Sequence, residues 1–417
     1  MTIAEIVDSK IAEEVSKVAV GPRGPSNYEI AVANGFVGTE ADWLLTLVGP
    51  KGEGSISLPS KNQTGENWVK FKEHLDLQFN RVRNLPPSSC AKVNFSDSYP
   101  GTNSNSFCAG VLLPDERIYL VPHTATYARI FDPKTKTLVT PTGTFGVTGG
   151  WNGAVLLDNG KVFIVPHNST TARIYDPSLE VLSIPSGSYP GNYAYVGGVK
   201  LPDGRVLMIP HTATSAAVYN PQTDSVAFYG SFDGNYAYAG GVLLPNGKVF
   251  LVPHNATKGK IFDPSTNSFS DTVATFPGNE GFVNGVLMFD GRIFLSPHKS
   301  STARIWNPET DTVVIPNGNY GTSGVANFCG VSILQDGRIF IVPFQSTTGR
   351  VYDPVSDSLF APTGTHSSAG AYHDAVLMAD GRVFLVPYNS SMATMIVAGY
   401  GITTDPQIAL SPFWNKF

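Results

Sequence analysis

Five histidines recur at one register of this 417-residue chain: His123, His167, His211, His254 and His298 each follow a Val-Pro, Ile-Pro or Ser-Pro pair. Phe344 and Tyr388 take the same place twice more, so the seven positions are separated by 44, 44, 43, 44, 46 and 44 residues. An imidazole can ligate a metal, move a proton, or donate and accept hydrogen bonds. A metal site needs several of them within a few ångströms of one ion, and one histidine per repeat around a ring argues against that. The sequence therefore predicts that each ring holds its own corner by hydrogen bonding to a nearby loop. Phe344 and Tyr388 show that an imidazole is not obligatory there. No metal or other cofactor is expected.

A second set of candidates sits where the repeats differ from one another. Tyr193, Asp233, Asn235, Tyr236, Glu280 and His366 lie in loops such as Tyr189-Pro-Gly-Asn-Tyr-Ala-Tyr195 and Phe276-Pro-Gly-Asn-Glu-Gly-Phe282. Tyr, Asn and Gly are adaptable recognition residues, so these six are the candidate receptor contacts. Catalysis has less support. A glycosidase needs two carboxylates flanking a bond and a lyase needs a base with a charge-stabilising partner. The acids Asp233, Glu280 and Asp374 are scattered and no motif pairs them. The expectation is a protein that binds without chemistry.

Both sets are positioned by one repeating unit. Turn dipeptides fall at Asp115-Glu116, Asn159-Gly160, Asp203-Gly204, Asn246-Gly247, Asp290-Gly291, Asp336-Gly337 and Asp380-Gly381. They keep the same steps as the histidine register. Four short apolar runs per unit of about 44 residues are the signature of a blade, so the fold class is all-β, a seven-bladed β-propeller spanning 91–400. In the fourth unit strand a is read as Gly241 to Leu244, a two-residue Asn246-Gly247 turn as the source of positive φ, and strand b as Lys248 to Val252. Strand c ends at Ile261-Phe262, and strand d lies around Ser268 to Thr275. Lys92-Val-Asn-Phe-Ser-Asp-Ser-Tyr99 matches an outer strand d, while the seventh unit runs out after Met395-Ile-Val. The N-terminal strand should complete the last blade and remove an open edge. The repeat loosely resembles kelch-type propellers in topology, without their full double-glycine and Tyr/Trp pattern.

Composition sets further bounds. A formal charge of −5 with no basic run makes nucleic acid an unsuitable main partner. No apolar span is long enough for membrane insertion. Three cysteines without metal-ligand spacing imply no disulfide framework.

Ahead of the propeller the chain changes character. Residues 1–20 carry Ile3, Ile6, Ile11, Val15 and Val18 at mixed helical spacings, which predicts an amphipathic helix. Residues 21–54 open with Gly21-Pro-Arg-Gly24-Pro and close with Gly49-Pro-Lys-Gly52-Glu-Gly54, two short Gly-x-y runs of collagen type. In 55–90, Trp68, Phe71, Leu75, Gln78, Val82 and Leu85 are spaced 3, 4, 3, 4 and 3, a coiled-coil seam ended by Pro86-Pro87. Residues 401–417 form a C-terminal tail. The stretch Tyr28-Glu-Ile-Ala-Val-Ala-Asn-Gly-Phe-Val-Gly-Thr-Glu40, with its Gly-x-y flanks, resembles the collagen-linked stalk module of tailed-bacteriophage fibre and tail proteins. That resemblance covers 1 to about 54 and implies a short helical, collagen-like trimeric stalk. It also implies a homotrimer located in the virion, synthesised in the host cytoplasm and joined to other tail or capsid proteins through its N-terminus. The propeller tip would then bind a host-surface glycan or protein receptor during adsorption. A head-decorating fibre or tail adaptor, and a polysaccharide-degrading tailspike, are the alternative readings.

Overall fold

The computed structural model describes residues 90–98, 106–146, 148–334, 336–362, 370–390 and 392–398. The helix expected at 1–20, the Gly-x-y module at 21–54, the coiled-coil segment up to residue 89, the tail at 401–417 and His366 lie outside them. Among the described residues, 28 strands form seven four-stranded antiparallel sheets and there is no helix. Blades 1 to 6 span Phe107–Val139, Trp151–Ser183, Tyr195–Tyr229, Tyr238–Thr275, Phe282–Val314 and Phe328–Phe360. Each runs a, b, c, d in chain order. Blade 7 takes strands a to c from Tyr372–Ala398, and its outer strand is Cys90–Ser98, paired antiparallel with Met392–Ala398. The expected closure by the N-terminal strand is therefore the observed one.

Burial explains why these runs become these strands. Strand b is a five-residue apolar run ending in proline, and in all seven blades it is buried along its whole length. A strand covered on both faces has no reason to alternate, so its sequence is a run of Val, Ile, Leu and Phe, with Tyr119, Met208 and Ser296 the departures. The outer strand alternates instead, as in Thr137–Val139 and Thr312–Val314, because one face meets solvent.

Adjacent blades interlock through ring pairs running from strand b of one blade to strand c of the next. Tyr119 stacks on Tyr175 at 4.6 Å, Phe163 on Tyr219 at 4.7 Å, Phe250 on Trp306 at 4.3 Å and Phe294 on Tyr352 at 5.3 Å. Phe384 on Phe131 at 5.0 Å continues the pattern across the closure.

Two local readings change. Strand a begins three residues earlier than read, at Tyr238 in blade 4, and the aromatic that opens it in every blade is buried. The a-b turn is not a two-residue hairpin with both central residues left-handed. Only Gly247 has positive φ, at 81°, while Gly247 N–H donates to Leu244 O at 2.9 Å. Pro245 and Asn246 thus form an ordinary turn followed by one left-handed glycine, the three-residue loop with a bulge. The Asn246 side chain caps it by accepting from Lys248 N–H at 3.1 Å.

Candidate functional site

The seven residues that follow the strand-b prolines, His123, His167, His211, His254, His298, Phe344 and Tyr388, converge into a collar. Strand b ends at the proline and the next residue turns toward strand c, so its backbone N–H reaches back to the residue just before strand a of its own blade. His211 N–H donates to Ala194 O at 2.8 Å and His254 N–H to Ala237 O at 2.9 Å. The side chain goes the other way, to the following blade. Nδ1 of His167, His211, His254 and His298 lies 2.7 or 2.8 Å from the carbonyl oxygens of Tyr195, Tyr238, Phe282 and Phe328. These bonds join neighbouring blades at strand a, rather than a ring to a loop of its own corner. A carbonyl can only accept, so Nδ1 carries the proton and Nε2 is left as a lone-pair acceptor in the neutral ring.

The seven rings close on one another around the axis. Successive centroid separations are 6.5 Å for His123–His167, 6.3 Å for His167–His211, 5.4 Å for His211–His254 and 5.9 Å for His254–His298. His298–Phe344 at 6.2 Å, Phe344–Tyr388 at 5.7 Å and Tyr388–His123 at 5.7 Å complete the circle. Every consecutive pair is tilted, none stacked or perpendicular. Among the described residues, no three His, Cys, Asp or Glu groups stand close enough together to hold a metal ion.

His123 breaks the hydrogen-bond pattern. The carbonyl its register would use, Trp151 O, receives the Cys108 thiol at 3.3 Å, and the buried His123 Nδ1 has no hydrogen-bond partner among the described residues. Below the collar the inner strands carry small groups where they approach closely. A Cβ added to Gly153 would stand 2.6 Å from Gly197 Cα. Blade 7 departs from this with His373 and Asp374. The His373 ring lies 5.0 Å from Tyr388 and 6.2 Å from Phe344, and its Nδ1 is 2.8 Å from Cys108 O. Its ring therefore stands against the collar rings of blades 6 and 7. His373 and Asp374 are each half-buried.

The enclosure decides their protonation. Burial pushes His167, His254 and His373 down to about 4, against the lesser opposing effect of their backbone bonds. His123, His211 and His298 shift in the same direction for the same reason. Burial raises Asp374 to about 6, opposed by backbone N–H groups of Ala375 and Gly110. It also pushes the Cys108 thiol up to about 12 and holds Cys329 well above its usual range, so neither thiol offers a nucleophile near neutrality.

The loop candidates form the rim of this ring. Tyr193 stands edge-on to His167 at 5.0 Å and Tyr236 edge-on to His211 at 4.9 Å, with 44% and 41% of their surfaces exposed. Glu280 takes the same register one blade on and pairs with Lys299 at 2.6 Å. Burial pulls its carboxyl upward, but the Lys299 hydrogen bond and charge outweigh this and the net shift is down. Tyr193, Tyr236 and Glu280 have φ of 61°, 52° and 56°. Asn168 and Asn255, each next to a collar histidine, hold the Tyr193 and Glu280 N–H groups at 2.8 Å. Asp233 and Asn235 are exposed further out, and Asn235 O accepts from Asn255 Nδ2 at 3.0 Å. On the other face, a groove of about 240 Å³ between Pro114, Asn159 and Pro177 is lined by Asp176, whose carboxylate is already paired with Lys161.

The sequence reading does not single out His373, and it leaves Asp374 a scattered acid. A signal was present: the register just inside strand a is Cys108, Asn152, Val196, Ala239, Val283 and Cys329 elsewhere, and only blade 7 places a large ring there.

With this geometry in hand, the chain can be set beside known proteins. No protein-family model matches it, and no curated protein does either. Among solved structures it is similar to a streptogramin B lyase, with a TM-score of 0.62 and 9% identity over 74% of this chain and 98% of the other. It is also similar to a catalytically inactive virginiamycin B lyase from Staphylococcus aureus with quinupristin, at TM-score 0.61 and 7% identity over 74% and 99%. A fungal alcohol oxidase in complex with copper matches at TM-score 0.54 and 14% identity over 74% and 76%. At such identities the likeness is one of fold, and it defines the class: an all-β, seven-bladed propeller.

Proposed function

We propose that this chain is a tailed-bacteriophage fibre protein whose propeller binds a host-surface receptor through the collar face, without chemistry. The observation that carries the reading is the backbone at Tyr193, Tyr236 and Glu280. At the same register two other loops use Gly149 and Gly370, with φ of 63° and 72°. Glycine adopts that conformation freely, whereas a bulky residue there is an outlier costing about 1 kcal/mol or more. Three adjacent blades keep large side chains at a strained, solvent-facing position around one depression. Strain retained where folding would favour glycine is a reason to look for function at those side chains. The stalk resemblance of residues 1–54 supplies the virion context. The closing strand enters blade 7 from the opposite face, since Cys90 pairs with Ala398 at the far end of strand c.

A structural virion role is the alternative, with a polysaccharide-degrading tailspike after it. The lyase and oxidase neighbours keep catalysis open at the level of fold alone. The test is a Tyr193→Gly, Tyr236→Gly double variant of the full chain, measured for adsorption to a panel of bacterial cells beside a melting curve. Binding should weaken by about tenfold or more while the melting temperature stays level or rises slightly. Lys134→Ala, an exposed change on the opposite face, should leave adsorption alone. Full adsorption by the double variant would remove the receptor-contact reading, and soluble sugars released from cells would move the protein into the enzyme class.

A further inference from the structure

We infer that the collar and its His373 floor form a binding site for an organic ammonium group, either a protonated amine or a quaternary ammonium carried by a larger molecule. Seven ring centres 5.4 to 6.5 Å apart around a closed loop lie about 7 Å from the axis, and ring and van der Waals thickness leave an opening on the order of 8 Å. His373 obstructs it from below. The result is a cup for one head group rather than a passage for a polymer.

Charge and donor inventory select the class. The wall consists of π-systems, Phe344 and Tyr388 side by side and five imidazoles, with Tyr193 and Tyr236 above. Four of those imidazoles commit their N–H to backbone carbonyls and keep a lone pair on Nε2. His123 adds a buried ring nitrogen with no bond of its own among the described residues, and such orphans ask for a partner. Burial keeps the imidazoles neutral at pH 7, so they do not repel a cation. Among the described charged groups, Asp374 follows His373 in the same inner strand, and at the rim Glu280 and Lys299 are spent on each other. Cys108 and Cys329 stay neutral. A cup with aromatic and imidazole walls, lone-pair acceptors and the Asp374 carboxylate close by, and with no unpaired cation among the described residues, is complementary to an ammonium ion and hostile to an anion.

The inference rests on the collar and not on the phage reading of residues 1–54, so the two fail separately. The test needs no cells. The full-length chain is titrated with tetramethylammonium chloride, with methylammonium chloride, and with tert-butanol as a neutral probe of similar shape. Ionic strength is held fixed, and imidazole nitrogen NMR and calorimetry are recorded. Saturable binding of at least one ammonium ion is expected, about tenfold or more tighter than the alcohol, with the histidine nitrogens shifting together. Tyr388→Leu should weaken it by about tenfold. Asp374→Asn should weaken it and remove the part of its pH dependence centred near 6, where affinity falls as pH falls because the carboxylate is lost. If Asp374→Asn does not fold, Tyr388→Leu decides. No saturable binding by either ion, equal binding of tert-butanol, or unchanged affinity in a folded Tyr388→Leu protein would overturn the assignment.

Discussion

Blades 2 to 5 and the sector formed by blades 6, 7 and 1 solve the same geometric problem differently. In the first sector every collar position is a histidine whose Nδ1 is fixed to the next blade's carbonyl, and the inner strands meet at Gly153, Gly197 and Gly240. In the second the collar carries Phe344, Tyr388 and the unbonded His123, and the inner strands carry Cys329, His373, Asp374 and Cys108. The regular sector shows what closing a ring requires. What the irregular sector adds is beyond that requirement: it sets a carboxylate, Asp374, beside His373 in an inner strand.

The sharpest way to break this comparison is to remove residues 90–98. Blade 7 would lose its outer strand, and the melting temperature should fall by about 10 °C or more relative to a chain starting near residue 88. Amide exchange should rise first in blades 7 and 1 while blades 3 to 5 stay protected. Uniform loss of protection would show that the sectors are not separable.

Acid sets the imidazoles of both sectors against the Asp374 carboxylate. Unfolded imidazoles titrate near ~6.5, whereas His167, His254 and His373 are held down to about 4. Their contribution is whole above the unfolded value and is lost as pH falls toward the folded one, because the unfolded chain takes up protons that the folded chain refuses. Asp374 has the opposite sign. Its raised value makes the folded state bind a proton first, so the stability it costs near neutrality is recovered as pH falls through about 6. Three groups outweigh one, and stability should drop by about 2 to 5 kcal/mol between pH 7 and 4. Thermal melts should show a shallower acid slope for His254→Phe and a steeper one for Asp374→Asn. Parallel slopes would mean the buried groups do not govern acid stability.

A smaller effect separates ring closure at the rim from closure at the axis. Asp311 sits in a left-handed c-d turn of blade 5, where its carboxylate accepts from Trp306 Nε1 at 2.8 Å and from Val273 and Ala274 N–H of blade 4. Asp311→Ala should cost about 2 kcal/mol by denaturant unfolding, since it leaves three donors seeking water. His254→Phe at neutral pH should cost about 1 kcal/mol, because Phe344 shows that a ring without the bond fits the collar. A larger loss for the histidine than for the aspartate would reverse this ranking.

The periodicity was legible because each blade repeats one burial pattern: a continuous apolar strand b, an alternating strand d, and a turn whose left-handed residue is Gly or, at Glu116, an exception. Closure was legible for the same reason, since Lys92 to Tyr99 reads as a strand d with no blade of its own. Convergence of the collar was not. Forty-four residues of separation looked like distance, yet residues at one register of a closed ring share a circle whose size is set by blade packing. Nor could the sequence reveal that Cys108 takes the carbonyl that His123 would use, because that competition depends on which of two neighbouring side chains is nearer.

The pairing of Cys90 with Ala398 has a mechanical consequence. Strand hydrogen bonds run across the strand direction, and the closing strand lies along the last blade with its leading residue at the face away from the collar. A pull on Cys90 resisted at the collar would load that strand lengthwise, stressing its ladder bonds together in shear. A pull between Cys90 and Ala398 would instead separate two partners at the same end and open the ladder one bond at a time. The same seam is strong under tension along the axis and weak when its two ends are drawn apart.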